Sequence, residues 1–227
     1  MAVMSTGPRQ RTTRSAYADV GEVLGLADSG PTARTVTIRT GAWAPRVEAQ
    51  MQHGRLPLLV VDGAIQRTTI LRGREGADLL GPGDLLRIDL DEGSFETRFR
   101  ALVPTRLALL DDRVQGAAAA DPALASALVA AAIRRADTLS DQVVLAQLVA
   151  IDDRLRILFP SLAERWGRVT ADGVVLPAFL SHTVLSALVG ARRPSLTAAV
   201  GRLVDEGVVR RLPDRRWLLS PALAAVA

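Results

Sequence analysis

The sequence predicts an α+β protein with three parts in series: an N-terminal β-roll or jelly roll, a long dimerisation helix, and a C-terminal winged helix-turn-helix. Three observations carry this. Short apolar or alternating runs recur between residues 34 and 111, separated by glycine turns. A helical pattern follows from 122 to 159 with no interior glycine or proline. Two short amphipathic patterns then meet at Gly190, within residues 180–207. The expected boundaries are an arm at 1–15, a β-roll domain at 16–116, the helix at 117–150 and the C-terminal domain at 151–227.

The polar, basic stretch 1–15 predicts a disordered arm, and 16–27 a short helix. From Arg34 the runs VTIRT, LPLLVVDG, RTTILRG, ADLLGPGDLLRI, FETRFRAL and RLALLD follow one another. Turn signals at Asp62-Gly63, Gly73, Gly81-Pro82-Gly83 and Gly93 divide them. Many short strands with glycine turns point to an all-β barrel or jelly roll.

On the long helix, Leu128, Ala132, Arg135, Leu139, Gln142, Ala146 and Val149 fall at alternating spacings of four and three. That is a heptad seam, and it predicts a helix pairing with a second copy of itself. Arg135 and Gln142 would be polar seam residues that fix register. A second stripe, Val144, Leu148, Ile151, Leu155 and Leu158, faces elsewhere. A further helix is expected at roughly 151–167, broken or kinked at Leu158–Pro160, because proline removes a backbone bond and clashes with the preceding turn. GRVTADGVVLP then predicts a strand pair.

In LSHTVLSALVGARRPSLTAAVGRLVDEG, Val184, Leu185 and Leu188 share one side of a first helix. Leu196, Ala199, Val200 and Leu203 share one side of a second. Ser181 suits an N-cap, Gly190 a left-handed C-terminal turn and Pro194 a first helical turn. Two such helices about three residues apart make a helix-turn-helix. The outward side of the second is small: Pro194, Ala198 and Gly201, flanked by Thr197 and Arg202, with Arg192 and Arg193 at its tip. Small residues let a helix approach a groove floor, and arginines reach guanine edges or phosphates. VVRRLPDRRWLL predicts a two-stranded wing with Arg210, Arg211, Arg215 and Arg216. The candidate DNA contacts are therefore Arg192, Arg193, Ser195, Thr197, Ala198 and Arg202, with Arg215 and Arg216 on the wing.

Charge supports this end of the chain. All 28 basic residues are arginine. Residues 180–227 hold seven of them against three acids, while the other 21 are matched by 21 acids. The whole net charge of +4 thus sits on the helix-turn-helix and wing. Catalytic constellations are not evident. The only histidines are His53 and His182, too few to converge on a metal, and there is no cysteine for a disulfide, a zinc finger or an iron–sulfur cluster. His53 alone could be a haem ligand but is expected to be an ordinary polar residue. No apolar run reaches the roughly 18–20 residues of a membrane span, and residues 1–15 lack the apolar segment of a secretory signal. A cytoplasmic protein is expected.

LAERWGRVTADGVVLP followed by LSHTVLSALVGARRPSLTAAVGRLVDEGVVRR resembles the Crp/Fnr family of bacterial transcription regulators, which includes the cyclic-AMP receptor protein. The resemblance covers nearly the whole chain. It implies a cyclic-nucleotide-binding-like β-roll, a dimerisation helix and a winged helix-turn-helix, acting as a homodimer on a roughly palindromic site in double-stranded DNA. The Arg-Glu pair and later arginine of that receptor's recognition helix fall on Arg193, Pro194 and Ala198, which implies a different operator. The cyclic-nucleotide pattern is not matched. Gly83-Asp84 is present, but the Gly-Glu positions hold Arg87-Ile88, the nearest phosphate arginine is Arg98, and the adenine-reading pair falls on Leu139-Ser140. No cofactor is expected, and the signal is another small ligand or none. An alternative reading is a small-molecule receptor acting through protein contacts, with RNA polymerase a candidate partner and DNA an anchor.

Overall fold

Leucine-rich and β-branched runs pair into two antiparallel sheets in the computed structural model, which describes residues 17–28, 30–45, 57–87 and 95–225. The arm at 1–15, His53, Ile88 and Gly93 lie outside the described residues. The first sheet has the order β1 (Tyr17–Asp19), β2 (Thr32–Ile38), β9 (Thr105–Leu109), β4 (Pro57–Asp62), β7 (Leu85–Arg87). The second has the order β3 (Gly41–Trp43), β8 (Glu96–Ala101), β5 (Ile65–Leu71), β6 (Arg74–Leu80). Ile38, Leu58, Val60, Leu86 and Leu107 from the first sheet share one core with Trp43, Ile65, Leu80 and Phe99 from the second. Trp43 and Phe99 meet with ring centroids 5.5 Å apart.

The alternate residues of the first sheet are buried as well. Leu59 and Ala108 pack with Val20, Val114 and Leu124 from helices α1 (Val20–Val23), α2 (Asp112–Ala120) and α3 (Pro122–Gln147). A strand covered on both faces needs apolar residues at successive positions, which accounts for the unbroken LPLLVV run. At the Asp62-Gly63 turn Gly63 has φ 96°, and a Cβ there would sit 2.4 Å from Thr105 Oγ1. That hydroxyl instead accepts from the Ala64 amide at 3.1 Å.

The short helix expected over 16–27 is replaced by β1 and a single helical turn. Tyr17–Asp19 pairs with Thr32–Arg34. The Asp19 carboxylate then accepts from Glu22 N at 3.0 Å and Gly30 N at 2.8 Å, which starts the turn and closes the loop after it.

The chain divides into two compact units, one of residues 1–67 with 79–135 and one of 68–78 with 136–227, so the boundary falls inside α3. That helix begins at Pro122 rather than 117. Pro122 cannot continue α2, Asp121 is extended, and its carboxylate caps Ala123 N at 2.9 Å. The long pattern also stops at Gln147, short of 150, and a new helix α4 (Ile151–Trp166) follows.

Two further expectations are corrected on these helices. Of the break or kink expected at Leu158–Pro160, the break does not occur: α4 runs through Pro160, with Leu155, Leu158, Phe159, Pro160 and Leu162 all buried. Burial of that apolar face outweighs the one backbone bond the proline removes. The residues expected along the heptad seam do not share one open side. Leu128 packs on its own β core, and Arg135 is only 7% exposed and donates to the Leu79 carbonyl. Both face their own unit. The open apolar stripe comprises Val129, Ala132, Ile133, Ala136, Val143 and Val144, with half-buried Leu139 beside it. Ala132, Ala146 and Val149 of the expected seam are exposed, and Leu139 and Gln142 are half-buried. Apolar residues occur nearly all round this helix, so spacing alone admitted two frames.

The second unit contains α4, a four-stranded sheet, and helices α5 (His182–Val189), α6 (Arg193–Asp205) and α7 (Pro221–Ala224). The sheet has the order β10 (Arg168–Thr170), β11 (Gly173–Leu176), β13 (Trp217–Leu219), β12 (Val209–Arg211). Gly173 has φ 135°, and a Cβ there would lie 2.0 Å from the Leu219 carbonyl oxygen. Leu155, Phe159, Leu176, Leu185, Leu196, Leu203 and Trp217 are all buried in this unit. Among the described residues, no single helix is long and apolar enough to cross a membrane.

Candidate nucleic-acid interface

The helix-turn-helix is closed by the local signals its sequence carries. Ser181 Oγ accepts from Val184 N at 3.3 Å and starts α5. Gly190 ends it in the left-handed region, φ 65° and ψ 36°. Three residues later α6 begins, with Pro194 in its first turn where a missing N–H is harmless. Leu196, Ala199, Val200 and Leu203 are buried beneath α6. Arg192, Arg193, Pro194, Ser195, Thr197 and Ala198 are exposed above it, and Gly201 is half-buried. Five of the sequence-predicted contacts, Arg192, Arg193, Ser195, Thr197 and Ala198, are therefore exposed.

The wing joins this face through a buried aromatic. Trp217 is 1% exposed, and its Nε1 donates to the Leu180 carbonyl at 2.5 Å. The Arg211 guanidinium lies 4.1 Å from its ring centroid. The imidazole of His182, first residue of α5, lies near-parallel to the same indole. His182 Nδ1 is 3.4 Å from Thr197 Oγ1, which donates to the Arg193 carbonyl at 3.0 Å. Burial, with Arg211 and Arg193 adding like charge, holds the imidazole below its ordinary pKa. Burial also lowers the Arg211 guanidinium, with Arg215 contributing. Arg193, His182, Arg211 and Arg215 thus form one neighbourhood of α6, α5 and wing in which the arginines repel added positive charge. Composition singled out the arginines. It gave no sign that His182 and Trp217 join them, because that needs the tertiary pairing of β13 with α5.

Two of the predicted arginines are paired with carboxylates within the fold. The Arg202 guanidinium forks onto both carboxylate oxygens of Asp152 on α4, with Nε to Oδ2 at 2.6 Å. That bond pulls the Asp152 pKa down and the Arg202 pKa up. A second bridge joins Arg156 of α4 to Glu206, just past the end of α6. Arg216 Nε is 2.6 Å from Asp214 Oδ2, and its amide donates to Oδ1 at 3.1 Å. Arg215 stands at the hairpin tip, exposed, with φ 65°.

One further arginine was missed in the sequence. Arg154 of α4 donates from Nε to the Leu148 carbonyl at 2.8 Å and from Nη1 to the Val189 carbonyl at 2.6 Å. A cation at helix C-termini satisfies orphan carbonyls and opposes the dipole.

Several residues in the expected cyclic-nucleotide positions have partners of their own. Gly83, φ 82°, and Asp84 make a structural turn in which Asp84 Oδ2 accepts from Gly81 N at 2.9 Å. Arg98 is exposed and paired with Glu96 at 2.7 Å. Ser140 is exposed and donates to the Ala136 carbonyl of its own helix at 3.1 Å. Among the described residues, no group of three or more His, Cys, Asp or Glu could hold a metal ion.

No family model and no curated protein sequence matches the chain. Solved structures do match it in fold. A cyclic-nucleotide-binding-domain protein of Listeria monocytogenes aligns with TM-score 0.68 and 15% identity, over 83% of this chain and 89% of the other. A CooA mutant of Carboxydothermus hydrogenoformans aligns with TM-score 0.65 and 18% identity, over 82% and 83%. A CRP-family transcriptional regulator of Thermus thermophilus aligns with TM-score 0.62 and 17% identity, over 84% and 97%. The β-roll, the long helix and the winged helix-turn-helix therefore occur here in the order of the Crp/Fnr regulators, whose fold this chain has.

Proposed function

We propose that the chain is a DNA-binding transcription regulator of Crp/Fnr type, non-catalytic, that acts as a homodimer on a roughly palindromic duplex site. The observation that carries this is the open face of α6. Arginines at its tip, small residues along its middle and a wing beside it are a combination suited to a major groove. The exposed apolar stripe from Val129 to Val144 on α3 supplies the surface for the second copy. Two α6 helices would enter successive major grooves about 34–36 Å apart. Arg193 reads bases, and Ala198 meets a thymine methyl. The β unit senses a small signal other than a cyclic nucleotide or serves as a scaffold: Arg98 is already paired with Glu96 at the surface, whereas a buried phosphate needs an available arginine and backbone donors. A cytoplasmic site of action follows from this reading.

The test is selection of bound duplexes from a random pool at fixed salt, with and without cyclic AMP, cyclic GMP and a cell extract. A palindrome recovered without additive supports a ligand-independent dimer. One recovered only with an additive supports a sensing β unit and identifies where its ligand is found. No enrichment in any arm overturns sequence-specific binding and favours a receptor that works through protein contacts.

A further inference from the structure

The β12–β13 hairpin is closed by three residues, Pro213, Asp214 and Arg215. Leu212 N donates to the Arg216 carbonyl at 2.8 Å, and Arg215 N donates to the Leu212 carbonyl at 2.9 Å. This is the three-residue loop in which a turn is followed by one left-handed residue, a position that favours glycine. Here that residue is arginine, at φ 65°. A side chain in this region costs backbone energy that glycine would not, and strain of this kind is retained where position matters to function.

Charge at the tip is equally specific. Asp214 is held by the backbone and guanidinium of Arg216, so this pair is internally balanced. Arg211 is laid on Trp217. Arg215 is exposed, and among the described residues no ion pair joins it to Asp214. A phosphate clamp needs only charge, which an unstrained neighbouring position would supply. An arginine at the point of a slim, proline-stiffened hairpin beside a major-groove helix suits a narrower target.

We propose that Arg215 enters the DNA minor groove next to the α6 contact and reads its width, giving the protein a preference for A·T-rich flanks outside the core operator. This rests on the DNA-binding reading above. Narrow A-tract minor grooves carry enhanced negative potential that attracts arginine, and G·C pairs place an amino group on the groove floor.

The experiment uses the full chain and the core site recovered from the random pool, with flanks of A-tracts, G·C pairs or inosine·C pairs. The expected result is binding to A-tract flanks roughly tenfold tighter than to G·C flanks, about 1.4 kcal/mol. Inosine·C, which lacks the amino group, should recover most of that difference. Arg215→Ala should abolish the preference, and Arg215→Lys should weaken it although charge is kept. Arg215→Gly should abolish it while raising the melting temperature, because glycine accepts the backbone. Arg72→Gly, at another hairpin residue with φ 49°, should raise the melting temperature and leave flank preference intact. Equal weakening on all flanks by Arg215→Ala, or no flank preference in the parent, would overturn the proposal and leave core recognition standing. Failure to enrich any core would overturn both.

Discussion

The imidazole of His182 stacks on the indole of Trp217, with ring centroids 5.4 Å apart and planes 24° from parallel. The stacked imidazole is titratable, and burial first, then Arg211 and Arg193, depress its pKa. In the free protein, then, the unfolded chain takes up a proton more readily than the folded one. The resulting contribution to stability is complete above the ordinary histidine range, and it is lost as pH falls from there through the lowered folded value. Arriving phosphates act in the opposite sense and favour the protonated ring. DNA affinity should therefore rise as pH drops from 8 to 6 while thermal stability falls. His182→Gln should flatten both profiles, measured by fluorescence anisotropy and thermal denaturation. An unchanged affinity profile in that variant would remove His182 from the interface.

Asp152 and Arg202 form a pair whose separation should be visible in salt dependence. With Asp152→Ala the Arg202 guanidinium loses its fork and becomes available to a phosphate. Binding to a duplex of arbitrary sequence should tighten, and the slope of log K against log salt should steepen by about 0.9 per new contact. Discrimination between operator and arbitrary duplex should fall, since the gain is shared by all sequences. A slope equal to the parent's would mean that Arg202 does not reach DNA.

Gly201 has open space where a Cβ would go and lies in the interior of α6. Gly201→Ala should raise stability by about 0.5–1 kcal/mol through helix propensity. Gly201→Leu should also fold, but its side chain would hold α6 away from the groove floor. Its operator affinity should fall by at least tenfold with no loss of melting temperature. Retained affinity in Gly201→Leu would place the contact on another face.

The open stripe on α3 allows a test that separates the proposed assembly from folding. Val143 is 61% exposed, and Val143→Glu should yield a stable monomer by sedimentation. Leu124 is fully buried, so Leu124→Ala should cost about 2–5 kcal/mol of stability and leave the dimer intact. A monomeric parent would remove the stripe's assigned role.

Gly173 offers a sharper structural test in the C-terminal sheet. Its left-handed backbone and the Leu219 carbonyl oxygen, 2.0 Å from any added Cβ, leave no rotamer to adjust. Gly173→Ala should unfold this unit at temperatures where the parent is intact, with DNA binding lost in step with its helical circular dichroism.

The parts of the fold visible in the sequence were those governed by local rules. Ser181, Gly190 and Pro194 punctuate the helix-turn-helix by capping and backbone geometry alone, and each stands where its chemistry predicts. The turns at Asp62-Gly63 and Gly81-Pro82-Gly83 were legible for the same reason. What escaped depended on distant partners. Pro160 was read as a break or kink because its neighbours' burial could not be seen. Arg135 was placed in a dimer seam because nothing in its spacing reveals the Leu79 carbonyl, 56 residues away in sequence. Arg202 was counted as available because Asp152, 50 residues earlier, gives no local signal. Tyr17–Asp19 reads as helix until Thr32–Arg34 supplies an edge to pair with.

The guanidinium of Arg154 has a mechanical consequence. By holding the carbonyls of Leu148 and Val189 together, it ties the trailing end of the long helix to the trailing end of α5. The three-residue joint at 148–150 is thus a latch rather than a swivel. A torque that turns the last turn of α3 must either break one of these two bonds or drag the Gly190 corner along with it, and α6 starts three residues beyond that corner.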